Sequence, residues 1–441
     1  MVRRSAWVAG LLLAGVLGLL ALVIGVGVVT DRPTDTVVTI DRDLPEVVTF
    51  LEAERALMDH HDVDYTEYAV TVEDPALRVR VLEVGEGPPV LVLPPAAGEA
   101  ARLAPLLGQL EGYRFLLVNL PGGGASDGID LRAVDQRPMA RATLDAVYAH
   151  FGLDEVPVVG ASVGGTWALW YALDRPERVS AVGQLGVPVA VEGTVVPPAL
   201  VVLGIPGVDR IAAATVMVSD APSDAADSFE EAFGHPNGTA QRLPAAALEF
   251  EHAVQRLPTY ALTWRSLAQD SLRMAGFGGW ATTVEIRSDE LGELKSPVLL
   301  VWPSEDPFGG PAVGEELAGL LPDARLHIAG TGHLPWLDDA EGVAELLDRF
   351  LDASGPAAGP DASRRWPTAG SSTASSTASA SAVDQRRNRR GSTAAATSPP
   401  SASGAPAHPW PGRTRRPTRI PDATLDRGLI NCQISNWDSR D

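Results

Sequence analysis

The stretch that most restricts how this chain can fold is Val156-Pro-Val-Val-Gly-Ala-Ser-Val-Gly-Gly165. A short β-branched run ends in Gly160-Ala-Ser162-Val-Gly164 and passes at once into a helix-like segment, Thr166 to Leu173. A serine flanked by glycines at a strand-to-helix turn needs a backbone path that side chains two residues away would block. Such a turn lifts the serine oxygen clear of the sheet. The pattern recurs at Gly124-Ala-Ser126-Asp-Gly128, so context has to separate the two. Ser126 lies beyond a strand that ends at Leu120 and no helix begins after it. Ser162 sits directly between strand and helix.

The rest of the chain supplies that context. Thr66 to Val72 and Leu77 to Val84 read as strands joined at Asp74-Pro75. Val90 to Leu93, Arg114 to Leu120, Val156 to Val159 and Val179 to Leu185 follow as short apolar strands. Helical patterns at Glu99 to Leu110 and Arg137 to Phe151, and the segment after Ser162, separate them. Alternation of this kind predicts an α/β fold, a mostly parallel, doubly wound sheet with helices on both faces. It breaks at Pro188 and resumes with the strand Pro297 to Trp302, a helix at Val313 to Leu321, the strand Arg325 to Ala329 and a helix at Asp339 to Leu351. Between them Ser223 to Phe233, Leu243 to Leu257 and Thr259 to Met274 have helical spacing, which predicts one inserted helical cap.

The ends have a different character. Arg3 and Arg4 precede Trp7 to Val29, an uncharged apolar run of 23 residues. As a helix it would be about 35 Å long, enough for the ~30 Å hydrocarbon layer, and its charges put the N-terminus inside. A cleaved signal peptide and secretion is the competing reading. Thr30 to Pro45 reads as a linker and Glu46 to His61 as a helix. His60, His61, Asp62 and Asp64 read as a helix end and turn rather than a metal site. From residue 353 the sequence is low in complexity and predicts disorder. The expected organisation is an anchor and its flank (1–35), linker and helix (36–64), core (65–188), cap (189–290), core again (291–352) and tail (353–441). The net charge of −21 hides a basic tail, in which 12 Arg face 6 Asp, so the body is more acidic still. An acidic body argues against nucleic acid as the main partner. The lone Cys432 rules out an intrachain disulfide and a cysteine metal site.

A serine hydroxyl becomes a nucleophile when a histidine takes its proton and an acid holds that histidine. On a sheet of this kind the acid and then the histidine are expected after the serine, on loops at strand ends. Asp306, in Trp302-Pro-Ser-Glu-Asp-Pro307, and His333, in Gly330-Thr-Gly-His-Leu-Pro335, occupy those places. Glu305 and Asp338 are the substitutes for the acid. The oxyanion donors expected are the backbone N–H groups of Val163 and of Ala96, with Ala97 second, because Pro94 and Pro95 have none.

With these motifs and Asn119-Leu-Pro-Gly-Gly-Gly-Ala-Ser126, the chain resembles the α/β-hydrolase fold superfamily, in the branch with a helical cap, over residues 65–352. Two positions depart from the superfamily's usual pattern: Pro94-Pro95 replaces His-Gly, and Asn119 replaces Asp. The resemblance implies a Ser–Asp–His triad, a substrate pocket between sheet and cap, and no cofactor; no metal site is expected either. A serine nucleophile argues against the epoxide hydrolases and haloalkane dehalogenases that resemble this fold. The expected function is a membrane-anchored serine hydrolase, outside the cytoplasm, that cleaves a small ester with an apolar part. A C–C bond hydrolase or perhydrolase on the same fold, or a non-catalytic binding module, stands as the alternative.

Membrane fractionation checks the anchor. The full chain is expected to sediment with membranes; soluble extracellular protein whose N-terminus lies beyond Val29 would mark the segment as a cleaved signal.

Overall fold

The computed structural model describes residues 32–96, 98–208, 219–231, 233–272 and 279–354, together with Gly25 and Gly27. Apart from those two glycines, the Trp7–Val29 run lies outside the described residues, as do Ala97 and residues 355–441. Among the described residues no helix is long and apolar enough to cross a membrane.

Eight strands form one sheet: β1 (Tyr65–Val72), β2 (Leu77–Val84), β3 (Pro89–Leu93), β4 (Arg114–Val118), β5 (Val156–Ala161), β6 (Val179–Leu185), β7 (Val298–Trp302) and β8 (Ala324–Ile328). Their spatial order is β1-β2-β4-β3-β5-β6-β7-β8. The β1/β2 and β2/β4 pairs are antiparallel and every later pair is parallel.

Alternate side chains of a strand point to opposite faces, and both faces of the central strands are covered here. In β7, Val298, Leu300 and Trp302 join one core cluster while Leu299 and Val301 join the other. Every residue of β7 is buried, which explains why it reads as a continuous apolar run. On one face lie α2 (Gln136–Phe151) and α3 (Val163–Asp174), through side chains such as Met139, Leu144, Trp167 and Trp170. On the other lie α1 (Pro45–His60) and α8 (Ala340–Ser354), through Phe50, Met58, Val343 and Phe350. Helix α8 runs two residues into the segment predicted as tail.

Between β6 and β7 the described chain is helical, with α4 (Pro222–Glu231), α5 (Ala245–Val254) and α6 (Tyr260–Ser271) as its longer pieces. Helix α5 packs on α1, where the Phe50 and Phe250 rings lie 5.8 Å apart. After the insertion, α7 (Pro311–Leu320) connects β7 to β8.

Two sequence expectations need correction. The Thr30–Pro45 linker is docked over its later part: Val38 and Gly128 exchange backbone hydrogen bonds of 2.8 and 2.9 Å, and the Ile40 N–H donates to Asp127 Oδ1 at 2.9 Å. These contacts are backbone-led, so no hydrophobic periodicity announces them. The single helix expected at Glu99–Leu110 is a 3₁₀ turn at Ala100–Leu103 followed by one α turn at Ala104–Leu107. Pro105 offers no N–H to continue an α ladder from the preceding turn.

The second serine match has a structural job. Ser126 Oγ accepts from the Arg80 N–H at 2.8 Å and donates to the Asn119 carbonyl at 3.0 Å, fully buried. Arg80 is itself enclosed. Its guanidinium donates to both oxygens of Glu54 at 2.9 and 2.7 Å and to Glu67 at 2.6 Å, tying α1, β1 and β2 together. Removing one partner of a buried pair leaves the other charge uncompensated, at a cost of about 3–5 kcal/mol. Glu54→Ala is therefore expected to lower unfolding stability by about that amount, read from urea denaturation. A loss below about 1 kcal/mol would mean that Arg80 finds water or another acceptor.

Candidate active site

The turn after β5 is as tight as its glycines imply. Ser162 adopts φ 53°, ψ −118°, a sparsely populated conformation for a residue with a side chain. A Cβ on Gly160 would collide with the Gly164 carbonyl, and one on Gly164 would collide with the carbonyls of Leu93 and Pro94. Both glycines are thus dictated by backbone contact, and the second brings the start of α3 against the loop after β3.

Asp306 follows β7 and His333 follows β8, and the structure brings both to Ser162. His333 Nδ1 lies 2.8 Å from Asp306 Oδ2, and His333 Nε2 lies 2.8 Å from Ser162 Oγ. Asp306 also accepts from the Val187 N–H at 3.2 Å and the Phe308 N–H at 2.9 Å, so its carboxylate is fixed from three directions. With Nδ1–H donating to the carboxylate, Nε2 is left to accept the Ser162 proton. All three residues are buried. The rings of Phe308 and Phe233 flank His333 at centroid distances of 4.4 and 5.7 Å. The two substitute acids are otherwise engaged: Glu305 is exposed, and Asp338 accepts from the N–H groups of Thr331 and Gly332 at 3.0 Å each.

Val163 and Ala96 face the serine across one cavity, which all three residues line. Val163 is the first residue of α3, where a helix leaves its N–H without an internal acceptor. Ala96 lies inside a turn closed by the Gly98 N–H donating to the Pro95 carbonyl at 3.0 Å, so its own N–H is not used by that turn. The Asn119 departure also has a reason. Its side-chain oxygen accepts from the Ala100 N–H at 2.9 Å while its NH₂ donates to the Arg80 carbonyl at 3.2 Å. An ionised aspartate could only accept.

Two arms open from Ser162. The apolar arm is walled by Val189, Leu200, Leu267, Trp280 and Phe308. The polar arm is reached by Arg102, Glu251, Gln255 and Tyr260. Arg102 forms a buried cluster that sequence reasoning missed: it donates to Glu99 at 2.9 Å and to Glu251 of α5 at 2.8 and 2.7 Å. It also donates to the Ala96 carbonyl at 3.1 Å, on the expected oxyanion loop. Arg102 and Glu251 lie 149 positions apart in sequence, and the local signal was no more than glutamates inside an apolar helical run. Burial pushes the Glu99 carboxyl up to about 8, with Glu251 adding to the rise and Arg102 opposing it. Burial opposes the Arg102 charge, but Glu251 and Glu99 outweigh it and hold the guanidinium protonated.

A family model described as the α/β hydrolase fold matches residues 88–201. Over 301 residues the chain is 28% identical to a 2-hydroxy-6-oxononadienedioate/2-hydroxy-6-oxononatrienedioate hydrolase of Burkholderia vietnamiensis, covering 66% of this chain and 97% of that protein. Over 300 residues it is 26% identical to a 2-hydroxy-6-oxo-6-phenylhexa-2,4-dienoate hydrolase of Burkholderia cepacia, covering 65% and 95%. Among solved structures, carboxylesterase CesB of Bacillus subtilis superposes with a TM-score of 0.53 at 18% identity, covering 70% of this chain and 99% of that one. That likeness shows the fold.

The raised Glu99 pKa makes a prediction of definite sign. Its folded-state value lies above the ordinary 4.5, so its contribution to stability is lost as pH rises from there through about 8. Glu99→Gln has no such proton to lose. Urea midpoints measured at pH 5 and pH 9 should show the variant gaining on the wild type at the higher pH. A constant difference between the two proteins would mean that Glu99 ionises normally.

Proposed function

We propose, from the premise that this chain is a hydrolase of the α/β-hydrolase fold, that it cleaves a carbon–carbon bond beside a ketone carbonyl, with Ser162, His333 and Asp306 as its triad. The kinship with two C–C bond hydrolases over nearly their whole length supports this reading. The two-armed cavity supports it as well, since an unsymmetrical ketone has two unlike sides to place.

In this reading the ketone carbonyl lies over Ser162, its apolar group in the apolar arm and its conjugated polar part in the polar arm. Ser162 Oγ bonds to the carbonyl carbon as His333 Nε2 takes its proton, and the oxyanion accepts from the N–H groups of Val163 and Ala96. With the dienol first ketonised, its enol proton moved to the carbon beside the ketone, collapse breaks the C–C bond to that now saturated carbon. Its electron pair passes into the conjugated fragment, which takes a proton from the His333 imidazolium. Water, activated by His333, then releases the acyl group from Ser162 as a carboxylic acid. Asp306 keeps the imidazole in the tautomer and orientation that both proton transfers need.

Hydrolysis of a carboxylic ester with an apolar acyl group is the second reading, and the Arg102 cluster favours it. Among the described residues of the polar arm, the one guanidinium is already met by Glu251 and Glu99, which leaves little positive charge for a carboxylate-bearing substrate. Ester cleavage uses the same attack and the same donors, with an alcohol leaving in place of a carbanion.

One experiment separates the readings. A fluorophosphonate probe should label the wild type and not Ser162→Ala. Turnover of 2-hydroxy-6-oxo-6-phenylhexa-2,4-dienoate and of p-nitrophenyl esters is then compared by kcat/KM. A dominant ketone rate is expected, lost by roughly 10³-fold or more in Ser162→Ala. Ester turnover alone would establish the second reading, and an unlabelled, folded wild type would remove both. The Trp7–Val29 segment, in the same proposal, holds this activity at a membrane surface.

A further inference from the structure

We propose that His235 is a positioning residue for His333: with Asp338 it forms a second histidine–carboxylate pair that holds the loop carrying the triad histidine in place. The inference rests on the triad reading above and adds a residue to it.

The geometry is a bracket around four consecutive backbone N–H groups. Thr331 and Gly332 donate to Asp338 Oδ2 at 3.0 Å each. His333 donates to the Phe233 carbonyl at 2.8 Å, and Leu334 donates to His235 Nε2 at 3.2 Å. An N–H donating to Nε2 requires an unprotonated nitrogen there, so the His235 proton sits on Nδ1, which lies 3.0 Å from Asp338 Oδ2. The His235 side chain has no exposure and that of Asp338 has 10%. Gly332 lies flat against the imidazole, and a Cβ at that position would overlap it.

The pair's effect on His333 passes through the loop that carries it. His333 must meet Ser162 and Asp306 together, each at 2.8 Å, so its Cα has little freedom. Two of the bracket's three supports, Phe233 and His235, come from the segment between β6 and β7. The helical insertion thus takes part in setting the triad as well as in covering it. Phe233 adds a near-parallel ring contact to His333, 11° between planes.

A merely structural pair would change unfolding stability and leave the folded enzyme's turnover alone. A positioning pair changes kcat. Misplacement of a catalytic group by about 1 Å can cost about 10²-fold in rate. His235→Phe keeps the ring that packs on Gly332 and removes both nitrogens; it is expected to lower kcat by about 10²-fold with KM changed less than about twofold, and to slow fluorophosphonate labelling in proportion. His235→Gln can accept from Leu334 and donate to Asp338, and it should recover most of the loss. Asp338→Ala should act non-additively with His235→Phe, because both break one unit. Folded His235→Phe protein with wild-type kcat and labelling rate would overturn the proposal, as would additive single effects. If His235→Phe does not fold, the His235→Gln and Asp338→Ala variants decide between the same alternatives: a strong kcat loss in Asp338→Ala with near-normal His235→Gln supports the bracket, and unchanged kcat in Asp338→Ala refutes it. Absence of labelling in the wild type would instead defeat the triad reading, so the two failures remain distinct.

Discussion

The contact between the glycine turn after β5 and the loop after β3 is the constraint on which this site depends. Gly164 sits where no side chain could, against the carbonyls of Leu93 and Pro94, and Ser162 beside it takes a strained φ of 53°. Strain of this kind costs about 1–3 kcal/mol and persists only where the surroundings over-determine it. Here they do. β5 lies between β3 and β6, and α3 is enclosed almost all round from Gly164 to Ala172. The same contact brings the N–H groups of Val163 and Ala96 to one cavity. Were α3 to lift from β3, Ser162 and Val163 would part from Ala96 together.

That constraint is also why so much was legible in the sequence. Glycines demanded by backbone contact leave a mark that no other residue can replace, and strands buried on both faces read as short apolar runs. The chain order serine, acid, histidine follows from parallel strands that end on one edge, so Asp306 and His333 could be placed from strand ends alone. Ser126 could be set aside by the same logic, and its hydrogen bonds to Arg80 and Asn119 show what it does instead. Each of these features is written within a few residues of where it acts.

What escaped the sequence is what acts across distance. The docking of Val38 on Gly128 is made by backbone groups, which every sequence has. The break between Ala100–Leu103 and Ala104–Leu107 is a change of helical pitch inside one apolar pattern, and apolar spacing cannot separate 3 residues per turn from 3.6 over so short a run. The meeting of Arg102 with Glu251, and of His235 with Asp338, depends on how the insertion seats on the sheet. Nothing local reports that. His235 is one of two histidines in the helical insertion, and Asp338 is an acid five residues past His333; neither position announces the other.

Those long-range pairs change how the insertion should be understood. A cap that only covered a finished site would contribute walls and little else. This one contributes Glu251, which holds Arg102 and through it the carbonyl of Ala96, and it contributes Phe233 and His235, which hold the backbone of the His333 loop. The insertion therefore grips two loops beside Ser162, the one carrying Ala96 and the one carrying His333. Such an arrangement couples the fit of the substrate to the geometry of the reaction. A molecule that forces the cap away from the sheet pulls on both loops at once, whereas one that fills the two arms without displacing Glu251 or Phe233 leaves them set. In the proposed reaction, selection among substrates would then follow from shape as well as from affinity, because an ill-fitting molecule would disturb the groups that have to react with it.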